Sequence, residues 1–360
     1  MIPLFKVHYP KGIGKKIEKV FSQGFIGEGR YSRLFEKKFS EYIGNPNCVL
    51  LNSCTSAISL ALLLCGVQAE DEVISSPMTC MATNEPAYNI GAKLVWSDID
   101  PETGNIDPED AERKITRKTK AILAVHWAGQ PFDISRIIRI AKKHSLKVIE
   151  DAAHALDATY KGKKIGNHGD FVCFSFQAVK HLTTVDGGAL ACKEKKDSQR
   201  ARLLRWFGID RETKGNKWSY DIKECGYKFH MNNINAVIGL EQMKHIRNIT
   251  SCHKYNSAYY DRNITNPKIK KIRRSKDSQT SSWIYSLLVD NRDKFKKYLA
   301  DNGIASDMVH VRNDKYSVFK KFRADLPNLD YFSSRLINIP SGWWLSKKDL
   351  AKIVKVINNY

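Results

Sequence analysis

Three stretches of the 360-residue sequence bring together side chains able to do chemistry. The first is Asn52-Ser53-Cys54-Thr55-Ser56. Hydroxyls and free N–H groups at the start of a helix form an anion site, best suited to phosphate. Ser53 or Thr55 could equally serve as a plain N-cap. The second is Val148-Ile149-Glu150-Asp151-Ala152-Ala153-His154, where two acids end an apolar run and a histidine follows. An acid there can pair with a cationic ring nitrogen, and small residues at 152 and 153 let a flat ring lie close to the backbone. Asp151 could instead cap a helix. The third runs from Phe174 to His181, where Lys180 leaves an apolar stretch shortly before Val185-Asp186-Gly187-Gly188. In a desolvated pocket a lysine amine loses its proton more readily and can form a Schiff base with a carbonyl. A solvated loop position is the commoner fate of lysine.

The surrounding pattern supplies the elements that would hold these groups. Helices are expected at 13–21 and 31–42, either side of the loop Gly24-Phe25-Ile26-Gly27-Glu28-Gly29. Short apolar runs at 48–51, 72–75, 93–96, 121–125, 147–149, 171–176 and 188–192 read as strands. Helical stretches at 55–65, 82–89 and 134–144 alternate with them. That alternation predicts a mostly parallel sheet covered on both faces. Ligands collect beyond the carboxyl ends of strands in such sheets, where the three stretches fall. A long helix is expected at 232–247. Beyond it the sequence is more polar, and Lys268 to Arg274 reads as a strand with a basic, solvated face. The fold class is therefore α/β, with a large domain over 1–247 and a small C-terminal α+β domain over 248–360.

The net charge is +21, from 59 Lys and Arg against 38 Asp and Glu. It favours an anionic partner (nucleic acid, a membrane surface or a phosphorylated small molecule) or reflects solvated lysines. Hydrophobic residues at 42% and charged residues at 27% exclude disordered, collagen-like and coiled-coil classes. None of the eight cysteines forms a CxxC pair, which argues against a zinc ribbon or a thioredoxin-type site. No apolar run reaches a membrane span and no signal peptide is recognisable, so a cytoplasmic location is expected. Walker and GxGxxG patterns are absent. His126, His168, His181 and His310 lack metal-ligand spacing, so no metal is expected. Asp98-Ile99-Asp100 looks like a metal-binding DxD but sits in a turn with Pro101 and Gly104, which favours a structural role.

A phosphate cradle, an acid for a ring nitrogen and a lysine 29 positions after Asp151 are the parts that a pyridoxal phosphate (PLP) site needs. Beyond these parts, the sequence resembles the DegT/StrS-type sugar aminotransferases, a branch of the fold-type I PLP enzymes, over nearly its whole length. The matching stretches are the Gly24–Gly29 loop, Ser53 to Ser56, Thr79 to Thr83, Asp98 to Thr103, and His126-Trp127-Ala128-Gly129. Glu150 to Ala155, Ser175 through Lys180 to Gly188, and Gly226 through Asn232 to Gln242 match as well.

The resemblance implies a fold-type I aminotransferase that acts as a homodimer with shared active sites. Lys180 would be the Schiff-base lysine, Asp151 the partner of the pyridine nitrogen, and His154 a neighbour of the ring hydroxyl. Ala153 would pack on the ring, and Thr55, Ser56 and Ser175 would bind phosphate. The segment 226–231, with Lys228, would reach the neighbouring subunit's cofactor. Phe25, Gly27, His310 and Tyr316 would border the substrate. The implied reaction moves an amino group, from L-glutamate by family analogy, to a nucleotide-linked 3- or 4-keto-6-deoxy sugar. Alternatives are a small phosphorylated ketone as acceptor, or a non-catalytic regulatory or nucleic-acid-binding protein on the same scaffold. The sequence departs from the family pattern at four places. Cys54 replaces a usual Gly, Cys80 an aromatic that stacks on the cofactor, Lys228 an Asn, and Val185-Asp186 a Gly-Glu. Trp127 is a candidate replacement for the missing aromatic. A dehydratase branch carries His in place of the lysine; the presence of Lys180 favours transamination.

Overall fold

A computed structural model describes residues 1–211 and 221–360. The central sheet has seven strands: β1 (Cys48–Leu51), β2 (Glu72–Ser75), β3 (Lys93–Trp96), β4 (Thr119–Val125), β5 (Lys147–Asp151), β6 (Phe171–Ser175) and β7 (Gly188–Cys192). Their order is β1-β7-β6-β5-β4-β2-β3. β7 alone runs opposite to the other six strands of this sheet. The sheet is buried on both faces. Val49, Leu51, Leu123, Ile149 and Cys173 enter one core, and their chain neighbours Leu50, Ile122, Val148 and Val172 enter the other. Double burial is why the strands read as unbroken apolar runs.

The reversal at β7 has a direct use. β6 returns to β7 through residues 176–187, with no crossover helix. Ser175 and Leu51 both pair with Gly188, and Asp151 pairs with Cys173. The ends of β1, β5 and β6 and the start of β7 therefore share one edge of the sheet, and the turn bearing Lys180 lies there.

The helix expected over 232–247 is two helices, Asn233–Met243 and Ile246–Asn263. The chain turns at Lys244 and His245 without a proline or glycine. The two helices have different partners: the first packs on the helix Arg30–Ile43, the second on the C-terminal helix Lys347–Asn358. Residue 247 lies in the first turn of the second helix. Beyond it, Ile269–Lys271, Tyr285–Val289 and Leu336–Ile339 form an antiparallel sheet. The N-terminus joins this region, since Ile2 bridges to Ile304.

The Lys268–Arg274 stretch includes a strand, but several of its basic groups are engaged rather than simply solvated. Lys271 Nζ donates to the carbonyls of Asp261 (2.8 Å) and Ile264 (3.0 Å). Arg273 pairs with Asp100 and Glu102, each at 2.6 Å. Asp98 accepts the N–H groups of Asn328 and Leu329, at the start of the helix Pro327–Arg335. The Asp98–Glu102 turn thus ties the large sheet to the C-terminal region. Among the described residues there is no His/Cys/Asp/Glu cluster suited to a metal, and no helix is long and apolar enough to cross a membrane.

Candidate active site

The three chemical stretches meet in a cavity of about 390 Å³ at the sheet's edge. Thr55, Asp151, Ala153, His154, Ser175, Lys180 and His310 all line it, together with Ser53, Cys80 and Trp283. Both readings of the first stretch hold at once. Ser53 caps the helix Cys54–Leu64 by accepting the Ser56 N–H at 3.0 Å, and it also faces the cavity. Ser56 is only 6% exposed and outside the lining; its hydroxyl donates to Asn52 Oδ1 at 2.7 Å. The helix start is packed tightly against β7. A Cβ on Gly188 would lie 2.4 Å from the Ser53 carbonyl carbon and 2.5 Å from the Cys54 nitrogen.

Asp151 is buried at the end of β5. One carboxylate oxygen accepts the Ala153 N–H at 2.9 Å and the other the Thr83 hydroxyl at 2.6 Å. Thr79 and Thr83 share a further bond of 2.7 Å. His154 is buried, with its ring 4.0 Å from that of Trp283 and inclined by 12°. Desolvation, with the nearby Lys180 charge, holds it well below the ordinary histidine range, so the ring is neutral. Its Nδ1 has no hydrogen-bond partner among the described residues.

Lys180 places Nζ 3.8 Å from the Trp283 ring centroid. Desolvation lowers its pKa to about 8, against the opposing pull of Asp151. His310 is lowered to about 3, chiefly by desolvation. Burial pushes the Cys54 thiol well up, so it behaves as an apolar group. Val185 has φ 74°, a left-handed conformation unusual for a β-branched residue, on the turn where the family pattern has Gly.

Several expected residues lie outside this chain's own cavity. Lys228 is exposed, on a segment tied to the end of β1 by a 2.7 Å bond from the Asn52 N–H to the Phe229 carbonyl. Phe25 is 58% exposed; its carbonyl, with those of Ile26 and Gly27, is held by Asn233. Tyr316 is exposed. Trp127 does not fill the place left by the aromatic at Cys80: it is buried against Gly104 and Phe332. Trp283 was not singled out by the sequence, and Thr83 received no role beyond its place in the matching stretch Thr79 to Thr83. Trp283 precedes an apolar strand, which reads as core, and its partners Lys180, Val179 and His154 lie more than 100 positions away in the chain.

This donor set fits pyridoxal phosphate. Hydroxyls of Ser53, Thr55 and Ser175 beside a helix start suit phosphate. A buried carboxylate suits a protonated pyridine nitrogen, and the unpartnered His154 Nδ1 leaves a polar atom for a ligand. The lowered amine of Lys180 suits an aldehyde.

The fold is that of the fold-type I enzymes, with a desolvated lysine in the cavity at the sheet's edge. The sequence matches the DegT/DnrJ/EryC1/StrS aminotransferase family over residues 10–358. It is 30% identical to the spore coat polysaccharide biosynthesis protein SpsC of Bacillus subtilis, over 96% of this chain and 93% of SpsC. The fold is similar to AtS13 from Actinomadura melliaura (TM-score 0.97, 38% identity, 100% of this chain and 99% of AtS13). It is equally similar to the sugar aminotransferase CalS13 from Micromonospora echinospora (TM-score 0.97, 35% identity, 100% of both chains). Spr1654 of Streptococcus pneumoniae, in its PLP form, matches at TM-score 0.91 and 28% identity, over 99% of this chain and 98% of Spr1654. The chain belongs to the DegT/DnrJ/EryC1/StrS family, and it is a PLP-dependent aminotransferase.

Proposed function

We propose that this aminotransferase carries an amino group from L-glutamate to the 3- or 4-keto group of a nucleotide-linked 6-deoxy sugar, working as a homodimer. A sugar acceptor is supported by CalS13, described as a sugar aminotransferase, and by the polysaccharide pathway in the name of SpsC. The catalytic part rests on one observation: the amine of Lys180, lowered to about 8, shares a cavity with the buried carboxylate of Asp151.

When bound, the cofactor supplies an aldehyde for that amine and a ring that accepts electrons. Near pH 8 Lys180 is populated in both protonation states, so its Nζ can take a proton and return it. Asp151, oriented by Thr83 and by the Ala153 N–H, would hold the ring nitrogen. Thr55, Ser175 and the capped helix start would hold the phosphate, with Ser56 bracing the loop through Asn52. Ala153 would support the ring face, and neutral His154 would sit beside the ring hydroxyl. Lys228 of the partner subunit would add a cation at the phosphate. Phe25, Gly27, His310 and Tyr316 would border the acceptor.

Two measurements test this reading. Purified protein with added PLP should show the absorbance band of lysine-bound cofactor, and Lys180→Ala should abolish it. The amine form of the cofactor, loaded on the enzyme, should return to the aldehyde form with keto-deoxy sugar nucleotides. Return only with small phosphorylated ketones would overturn the acceptor assignment.

A further inference from the structure

We infer that Trp283 is the positioning residue for Lys180: its indole holds the amine whenever that amine is not bonded to the cofactor, and so fixes where the amine exchanges protons. The inference rests on the proposed role of Lys180.

Four contacts of Trp283 carry it. The Trp283 ring is 3% exposed, and the Lys180 Nζ lies 3.8 Å from its centroid. The indole N–H donates to the Val179 carbonyl at 2.9 Å, which pins the backbone one residue before the lysine. The ring also lies 4.0 Å from His154, nearly parallel to it, and 5.3 Å from Phe5. One side chain therefore fixes the lysine's backbone, receives its head group and supports the histidine beside it.

The segment that presents Trp283 is itself constrained. Ser282 has φ 55°, a left-handed conformation that non-glycine residues rarely adopt. Ser281 donates its hydroxyl to the His154 carbonyl at 2.5 Å and its N–H to the Gly129 carbonyl at 3.0 Å. Gly129 has φ 92°, and a Cβ there would lie 2.1 Å from Ser281 Oγ. The chain is thus held in an unfavourable conformation that delivers the indole to the lysine.

The electrostatics give the sign of the effect. An ammonium is attracted to the face of an indole, and more strongly when water is excluded. The groups around Lys180 are Asp151, His154, His181, His310, Cys54 and Cys80. The Asp151 carboxylate also favours the ammonium. Burial opposes both. Removing the indole face while keeping apolar bulk should therefore lower the lysine's pKa.

The test uses the full-length cofactor-free protein and PLP as the amine probe. The reaction is trapped with borohydride across a pH series, and the labelled residue is located by mass spectrometry. Trp283→Phe keeps a ring face. Trp283→Leu and Trp283→Met remove it but keep bulk, and either serves if the other fails to fold. We expect the midpoint of Lys180 labelling to stay within a few tenths of a unit in Trp283→Phe. It should fall by about one pH unit in the non-aromatic variants. In the loaded enzyme, kcat of those variants should fall about tenfold while KM changes less than about twofold. An unmoved midpoint in the non-aromatic variants, even with lowered thermal stability, overturns the inference alone. Wild-type protein labelled elsewhere than Lys180 overturns the role of Lys180 and this inference with it.

Discussion

At the scale of single residues, the site works by removing water from groups that would otherwise be ordinary. Lys180 is an everyday loop lysine by type, and desolvation brings its pKa to about 8. The amine is the reactive form, so its reactivity must rise with pH until that value is passed. The rate at which cofactor-free protein captures PLP should climb about tenfold per pH unit below 8 and level off above it. A rate still rising at pH 10 would mark a solvated lysine. Asp151 depends on its support in a comparable way. Thr83→Val removes a 2.6 Å hydrogen bond to its carboxylate. Since bonds to charged groups are the stronger ones, PLP affinity should weaken about tenfold, as read by equilibrium titration. The places of Lys180, Asp151 and His154 in the cavity were legible because each lies at or beyond the end of a strand and carries unusual chemistry. Thr83 and Trp283 were not, because a hydroxyl in a helix and a tryptophan before a strand read as packing. Only the fold brings them to residues dozens to more than 100 positions away.

Among the elements, the strand edges do the placing. Leu51, Ser175 and Gly188 fall in one row, so the Asn52–Ser56 loop, the serine that ends β6 and the start of β7 converge without insertion. Gly188 is the contact that makes this possible, since the backbone of Ser53 and Cys54 occupies the place of its Cβ. Gly188→Ala should push the helix start away from β7. We expect a loss of about 1–3 kcal/mol in stability, measured by thermal denaturation, with PLP binding lost to a greater degree. An alanine variant with unchanged cofactor affinity would show that the close packing does not shape the phosphate site. The bounds of β1, β2, β3 and β7 were readable to the residue, because strands buried on both faces leave continuous apolar runs. The break at His245 was not, because no proline or glycine marks it and only the change of packing partner produces it.

For the molecule as a whole, the charge of +21 by itself fits nucleic acid, a membrane surface, a phosphorylated small molecule or solvated lysines. The fold gives part of it a local use: Arg273 and Lys271 brace the C-terminal region against acidic and carbonyl partners. Lys228 is different. It is exposed and outside its own chain's cavity, on a segment with exposed Tyr227 and near exposed Phe207. The proposed homodimer places it at the neighbouring cofactor, and a mixing experiment separates that arrangement from a role within one chain. Lys180→Ala and Lys228→Glu should each be nearly inactive as pure proteins. In a heterodimer of the two with shared sites, one site combines the intact Lys180 of one chain with the intact Lys228 of the other. Random reassortment makes half of the dimers heterodimers, so about a quarter of wild-type activity should return on mixing. If Lys228 served its own chain, every site would still lack one of the two lysines and mixing would restore nothing. The readout is the return of the aldehyde cofactor band in the second half-reaction, with sedimentation confirming that subunits have exchanged.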